Sequence, residues 1–193
     1  MIDVRLATGD DAGPIQAIYA PYVLSTPASF EYEVPAVDEI RERISSTLPD
    51  CPWLVAEETG HTIGYAYAHG FAPRAAYRWS VETSIYVDPA GRGRGVGRAL
   101  YPRLLALVGA QGYRQAFAGI TLPNPVSVAL HEAMGFTPAA VYRRVGWKLG
   151  AWHDVGWWQR ALSSGSPDPP ALPIRVDQLP PSVVGWALST GGG

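Results

Sequence analysis

Seven consecutive residues, Gly91-Arg92-Gly93-Arg94-Gly95-Val96-Gly97, constrain this chain more than any other segment. A strand-like run, Thr83-Ser84-Ile85-Tyr86-Val87, precedes them, with Asp88-Pro89 as turn residues between. In the run they open, Val96, Leu100, Leu104, Leu107 and Val108 recur at helical spacing. Glycines at a strand-to-helix junction let successive backbone N–H groups point into one concavity. The helix start beside them carries roughly half a positive charge. Such a junction binds phosphate oxygens, and Arg92 and Arg94 add positive charge next to it.

Two familiar phosphate loops fit poorly. A P-loop needs Gly-Lys-Ser/Thr at its end, and no Lys-Ser or Lys-Thr follows these glycines. The dinucleotide fingerprint needs Gly-x-Gly-x-x-Gly and an acidic residue about 20 residues on. Here the spacing is Gly93-x-Gly95-x-Gly97, and no Asp or Glu follows before Glu132.

The spacing Arg92-x-x-Gly95-x-Gly97 resembles the pyrophosphate loop of the GNAT acetyltransferase superfamily. The block from Asn124 to Phe136, NPVSVALHEAMGF, looks like that superfamily's later helix, with Asn124 at its start. Most members carry Tyr four residues before the Gly-Phe pair, where this chain has His131. The chain is further similar to the phosphinothricin N-acetyltransferase family. The blocks Pro52 to Glu57, Arg78 to Val87, Ala110 to Tyr113, Leu122 to Asn124, Leu130 to Ala133, Gly146 to Lys148 and Trp152 to Gly156 carry that likeness. It runs from about Val4 to Arg160.

Coarse patterning agrees with such a domain. Val4 to Ala7, Trp53 to Glu57, Thr62 to His69, Val81 to Val87, Gln115 to Thr121, Phe136 to Gly146 and Trp152 to Ala161 read as strands. Ile15, Ile18, Tyr19 and Tyr22 mark a first helix, which Pro21 should bend or end. Val37, Ile40, Ile44 and Leu48 mark a second helix. The helix after the glycine loop holds Pro102, which predicts a kink or an early 3₁₀ turn, and Gly109 and Gly112 should stop it. Strands alternating with helices indicate an α/β domain with one mixed sheet. The resemblance implies the GNAT fold, a single central sheet splayed at the acetyl-CoA site and flanked by helices, over residues 1–162. Residues 163–193 hold six of the chain's 18 prolines and end in three glycines. They read as an extended tail that could dock through Ile174, Val183 or Trp186.

Composition narrows the partners. A net charge of −2 gives no bulk attraction to nucleic acid or to an anionic membrane. No apolar run is long enough for a span. The single cysteine, Cys51, suits a reducing compartment, and no basic-then-apolar leader opens the chain. A cytoplasmic location is the expectation. His61, His69, His131 and His153 show no metal-ligand spacing, so no metal is expected.

The resemblance assigns roles. The amides and arginines of Arg92, Gly93, Arg94, Gly95, Val96, Gly97 and Arg98 would hold the diphosphate of acetyl-CoA. Backbone groups of Ile85, Tyr86 and Val87 would pair with the pantetheine arm, which Asn124 would also touch. Acetyl transfer to an amine requires loss of a proton from the ammonium, donors for the thioester oxygen and a proton for the departing thiolate. Glu82, which begins the strand beside the gap, is the expected base. His131 is expected to donate a proton to the thiolate or to shuttle protons with Glu82. Phe30, Glu31, Arg74, Tyr77 and Arg78 would line the acceptor pocket. Lys148 and His153 would lie in the pocket or an interface. Members active in herbicide resistance carry a cation where this chain has Ala72. The implied acceptors are phosphinothricin, methionine sulfoximine or methionine sulfone, and the implied assembly is a homodimer. Two other readings remain at this point: an acetyltransferase for a polyamine, an antibiotic or a protein N-terminus, and an acyl-CoA sensor without turnover.

Overall fold

Alternation along the second strand sets up the two layers of the core. In a computed structural model describing residues 1–163 and 170–189, β2 (Trp53–Glu58) sends Leu54 and Ala56 to one face of a sheet and Trp53 and Val55 to the other. The other strands of the sheet are β1 (Asp3–Leu6), β3 (His61–Gly70), β4 (Ser80–Val87), β5 (Gln115–Leu122), β6 (Thr137–Lys148) and β7 (Ala151–Ala161). The seven strands are ordered β1-β2-β3-β4-β5-β7-β6. Among the described residues only β4 and β5 run parallel; the other pairs are antiparallel.

One face is covered by α3 (Val96–Gln111), whose Val96, Leu100, Leu104 and Leu107 are buried against Leu54, Ala66, Val81 and Ala116. Next to it lies α4 (Pro125–Ala133), entered through Asn124, whose side-chain oxygen accepts from Ser127 N at 3.2 Å. The other face is covered by α1 (Ala12–Ser25) and α2 (Val37–Thr47). There Ile15, Ile18, Val23, Ile40 and Ile44 pack with Trp53, Val55 and Tyr65.

Neither proline ends its helix. Helix α1 continues past Pro21 to Ser25. The lost N–H costs about 3 kcal/mol, and burial of Tyr19 and Val23 on either side of Pro21 offsets it. Helix α3 stays α-helical through Pro102, with no 3₁₀ turn. Leu100, Tyr101, Leu104 and Leu105 are all buried around the proline, and the Arg103 guanidinium reaches back to the Ala99 carbonyl at 2.6 Å. Gly109 lies inside α3, and Gly112, at φ 97°, ends it.

Residues 170–189 are more than an extended tail. They contain a short 3₁₀ turn, Val176–Gln178, and a helix, α5 (Pro181–Ser189). Val176, Leu179 and Ala187 are buried in the same core as α3, with Val183 packed against it. Ile174 and Trp186, expected as anchors, are largely exposed. Gln111 fastens the segment through bonds from its amide nitrogen to the Asp50 and Ile174 carbonyls, at 2.7 and 2.9 Å. The Pro- and Gly-rich stretches 164–169 and 190–193 lie outside the described residues. Leu179→Ala is expected to lower stability by about 2 kcal/mol, read as a lower urea midpoint. An unchanged midpoint would mean the segment contributes nothing to the core.

Candidate active site

The site begins where β4 and β5 part. Their register is Ser80 with Gln115, Val81 with Ala116 and Glu82 with Phe117, and pairing stops there. Beyond it β4 stays paired to β3 as far as Val87, and β5 to β7 as far as Leu122. A wedge-shaped gap therefore opens between Thr83–Val87 and Ala118–Leu122. Antiparallel strands turn alternate residues' backbone groups toward one neighbour. Phe71 N bonds to Ser80 O and Asp88 N to Ile63 O. That phase turns the even-numbered residues of β4 toward β3. The backbone groups of Ile85 and Val87 then face the gap, whereas those of Tyr86 belong to the β3 ladder. The expectation that Tyr86 offers backbone groups to a bound arm is thus corrected. Its ring instead packs edge-on against Tyr19 and Tyr22, at 4.9 and 5.1 Å between centroids.

At the wide end of the gap stands the glycine loop. Asp88 Oδ1 accepts from Ala90 N at 2.7 Å and starts a 3₁₀ turn, Pro89–Gly91. Gly93 and Gly95 take φ of 76° and 85°, and no neighbour would touch a Cβ at either. Their requirement is conformational. Gly97 has the opposite reason: a Cβ there would lie 2.9 Å from Leu130 Cδ2, so glycine lets α3 and α4 meet. Gly95 caps α3, and the N–H groups of Val96, Gly97 and Arg98 occupy the first turn, where no intrahelical acceptor exists. The arrangement has the geometry an anion needs, with Arg92, Arg94 and Arg98 exposed around it. Arg94 pairs with Glu58, and the Arg92 guanidinium lies 5.3 Å from the Tyr22 ring centroid. The Tyr22 hydroxyl donates to Val87 O at 2.7 Å and receives Val87 N–H at 3.3 Å. The sequence offered no hint of Tyr22 here, because its contact depends on how α1 crosses β4.

Glu82 sits opposite His69 in the β3–β4 register. Burial pushes its carboxyl above the ordinary glutamate value, and the His69 charge pulls weakly the other way. A carboxylate raised in this way is a better proton acceptor near neutrality. His69 was missed in the sequence because it comes from another strand. It lies in line with the stacked rings of Trp53, Tyr65 and Tyr67, which together with Tyr19 and Arg43 line a cavity of about 140 Å³ under α2.

His131 is on the other side of the sheet. Its Nδ1 donates to Ser127 O at 2.7 Å, and Nε2 lies 2.7 Å from the Tyr101 hydroxyl. Tyr101 meets Thr83 Oγ1 at 2.8 Å. Successive strand residues point to opposite faces, so Glu82 and the Thr83–Tyr101–His131 group flank the gap from opposite faces. The expectation of a direct shuttle between Glu82 and His131 does not match this arrangement. Burial lowers the His131 pKa and raises that of Tyr101.

The expected acceptor residues fall into two groups. Phe30 and Glu31 lie in the α1–α2 loop. Glu31 accepts from Arg43 at 2.8 Å and from the Tyr19 hydroxyl at 3.1 Å. The β6–β7 hairpin holds this loop. Lys148 Nζ donates to Ser29 O at 2.5 Å, Tyr32 donates to Trp147 O, and Phe30 faces His153 and leaves no room for a Cβ on Gly146. Arg74, Tyr77 and Arg78 belong to the β3–β4 loop that leads into Glu82. Arg74 precedes a 3₁₀ turn, Ala75–Tyr77, and the Tyr77 ring contacts Phe71. Arg78 donates to Ala75 O at 2.7 Å and lies over Trp79. Tyr77 and Arg78 line a different cavity, of about 290 Å³, with Cys51, Tyr113 and Arg175. Cys51 is buried, its thiol held above its ordinary pKa by burial. Among the described residues no cluster suits a metal ion.

A splayed β4–β5 pair with an amide-lined helix start at its mouth defines an acyl-CoA-dependent transferase. Residues 4–157 match the acetyltransferase (GNAT) domain family, and the chain belongs to it. It is an acetyl-CoA-dependent N-acetyltransferase. It is 38% identical to a phosphinothricin N-acetyltransferase of Streptomyces viridochromogenes, over 90% of this chain and 94% of that one. It is 35% identical to an L-methionine sulfoximine/L-methionine sulfone acetyltransferase of Salmonella typhimurium, over 86% of this chain and 98% of that one. A solved phosphinothricin acetyltransferase of Sinorhizobium meliloti in complex with acetyl-CoA superposes with a TM-score of 0.84 at 39% identity, covering 88% of this chain and 93% of that one.

The raised Glu82 pKa has a stability consequence. A carboxylate whose folded-state pKa lies above its unfolded value costs stability when ionised, so the folded state loses stability as pH rises through the folded pKa. Glu82→Gln is therefore expected to unfold at higher temperature than the parent at pH 7. The difference should vanish as pH falls below the ordinary glutamate range, about 4. A variant no more stable than the parent at pH 7 would remove the claim that Glu82 is held desolvated.

Proposed function

We propose that this N-acetyltransferase acetylates the α-amino group of a small amino acid whose side chain ends in oxygen acceptors. Methionine sulfone, methionine sulfoximine and phosphinothricin are the acceptor class. The observation that carries the reading is Glu82, a desolvated carboxylate at the closed end of the β4–β5 gap. The named activities of the Streptomyces and Salmonella relatives support the acceptor class.

Acetyl-CoA supplies the activated acyl group when bound. The amides of Gly93 to Arg98, with Arg92, Arg94 and Arg98, would hold its diphosphate, and the backbone of Ile85 would line the arm's course beside Asn124, the backbone groups of Val87 being taken by Tyr22. Glu82 takes a proton from the acceptor ammonium, directly or through one water, so that the free amine can attack. His131 supplies a proton on the opposite face of the sheet. Phe30 and Glu31, held by Arg43 and Lys148, form one wall of the acceptor pocket, and Arg74, in the loop that leads into Glu82, supplies a cation at its rim, whereas Tyr77 and Arg78 belong to the separate cavity beside Cys51. Ala72 in place of a cation favours the neutral sulfone and sulfoximine side chains over the anionic phosphinate.

We also infer a cytoplasmic homodimer. Strand β6 is an edge strand and exposes Val141, Tyr142, Val145 and Trp147, with Trp152 exposed on β7. An edge with this much apolar surface favours covering by a second copy.

One experiment addresses these points together. Thiol release from acetyl-CoA is measured against a panel of amino acids, amino acid analogues, polyamines, antibiotics and N-terminal peptides. Methionine sulfone and sulfoximine should turn over fastest, with phosphinothricin slower. Glu82→Gln should lower kcat/KM by about 100-fold. Sedimentation of the same sample should give the mass of two chains. Faster turnover of a polyamine or a peptide would replace the acceptor, unchanged turnover in Glu82→Gln would remove the base, and a monomer would remove the dimer.

A further inference from the structure

The buried side of β4 contains a hydroxyl where packing alone would accept a methyl. Thr83 lies between Val81 and Ile85 on the face covered by α3 and is 3% exposed. Valine has the same shape and no polar group to satisfy, so a buried hydroxyl here is costly unless bonded. Thr83 Oγ1 has two partners: the Tyr101 hydroxyl at 2.8 Å and the Phe117 carbonyl at 3.1 Å. Phe117 is the last residue of β5 paired to β4, so this carbonyl marks the closed end of the gap. Beyond Tyr101 lies His131 Nε2 at 2.7 Å, and beyond the imidazole the Ser127 carbonyl at 2.7 Å.

Only two proton orders satisfy this chain. Ser127 O is an acceptor, so Nδ1 carries a proton in both. With a neutral imidazole, Tyr101 donates to Nε2 and Thr83 donates to Tyr101, which withdraws the Thr83 proton from Phe117 O. With an imidazolium, Nε2–H donates to Tyr101, Tyr101 donates to Thr83 and Thr83 donates to Phe117 O. The charge on His131 is thereby written into the direction of the Thr83 hydroxyl at the gap.

We propose that Tyr101 and Thr83 form a proton relay joining His131 to the closed end of the β4–β5 gap. It rests on the reading above, in which His131 supplies a proton, and explains how an enclosed imidazolium can do so. Three hops are involved. The Thr83 proton goes to the thiolate that acetyl transfer releases, the Tyr101 proton moves to Thr83, and the Nε2 proton moves to Tyr101. One proton leaves His131 and one arrives in the gap, while both hydroxyls end neutral. Around the ring stand Tyr101 and Phe136. The nearby carboxylates are Glu82, whose charge Tyr101 senses, and Glu132, which faces Trp158 Nε1.

The relay can be read without substrate. In protein labelled with ¹³C at backbone carbonyls and ¹⁵N in histidine, the His131 ring and the Phe117 carbonyl are followed between about pH 5 and 8. The Phe117 shift should titrate with the ring in the parent and stop doing so in Thr83→Val and in Tyr101→Phe, while the ring still titrates. Thr83→Ser should restore the coupling. Thr83→Val should lower kcat by about tenfold or more, with KM for acetyl-CoA within about twofold, and Thr83→Ser should recover most of it. A Phe117 carbonyl indifferent to the ring, a ring that never protonates in this range, or coupling that survives Thr83→Val would each overturn the relay, whatever the turnover. Glu82→Gln with full turnover and intact coupling would overturn the base assignment and support the relay.

Discussion

The parting of β4 from β5 after Glu82 and Phe117 is the constraint on which the rest of the molecule depends. Two strands that pair for three residues and then diverge leave backbone donors and acceptors facing each other across open space. Such groups are costly unless something satisfies them. In this protein the Tyr22 hydroxyl meets both backbone groups of Val87, and the Thr83 hydroxyl meets Phe117 O. The opening is thus stabilised by side chains at its two ends, and the backbone between them is presented to a ligand.

The divergence also divides the chemistry between two faces. Glu82, in line with His69 and the stacked rings of β2 and β3, belongs to the α1–α2 side. Thr83, Tyr101 and His131 belong to the α3–α4 side. Both groups reach the gap only because the sheet is open there. An acceptor amine and a departing thiolate can then be served by different proton carriers that do not touch each other. Burial favours the uncharged form of each group, raising the pKa of Glu82 and lowering that of His131.

Much of this was legible in the sequence, for identifiable reasons. The glycine loop was readable because each glycine answers a local demand: positive φ at Gly93 and Gly95, close helix contact at Gly97. Asn124 was readable as a cap because capping is local. The seven strands and helices α1, α2 and α3 follow from apolar patterning, and α4 from the Asn124 to Phe136 block. What escaped was set by register and packing. His69 faces Glu82 only through the β3–β4 pairing, and Tyr22 reaches Val87 only through the crossing of α1. The backbone phase that turns Tyr86 away from the gap cannot be read without the ladder. Helix α5 escaped because proline and glycine content suggested an extended segment, whereas Val176, Leu179 and Ala187 had a core surface to cover. Neither Pro21 nor Pro102 ends its helix, since local propensity yields to the burial of their neighbours.

The central claim, that the amides at the start of α3 and the open edge of β4 form one continuous coenzyme site, is tested most directly by amide ¹H–¹⁵N shifts during titration with acetyl-CoA. The largest changes are expected at Gly93, Gly95, Val96, Gly97 and Arg98 together with Ile85 and Val87. Saturating shifts centred on the Cys51–Tyr113–Arg175 cavity, with the glycine loop unmoved, would contradict it.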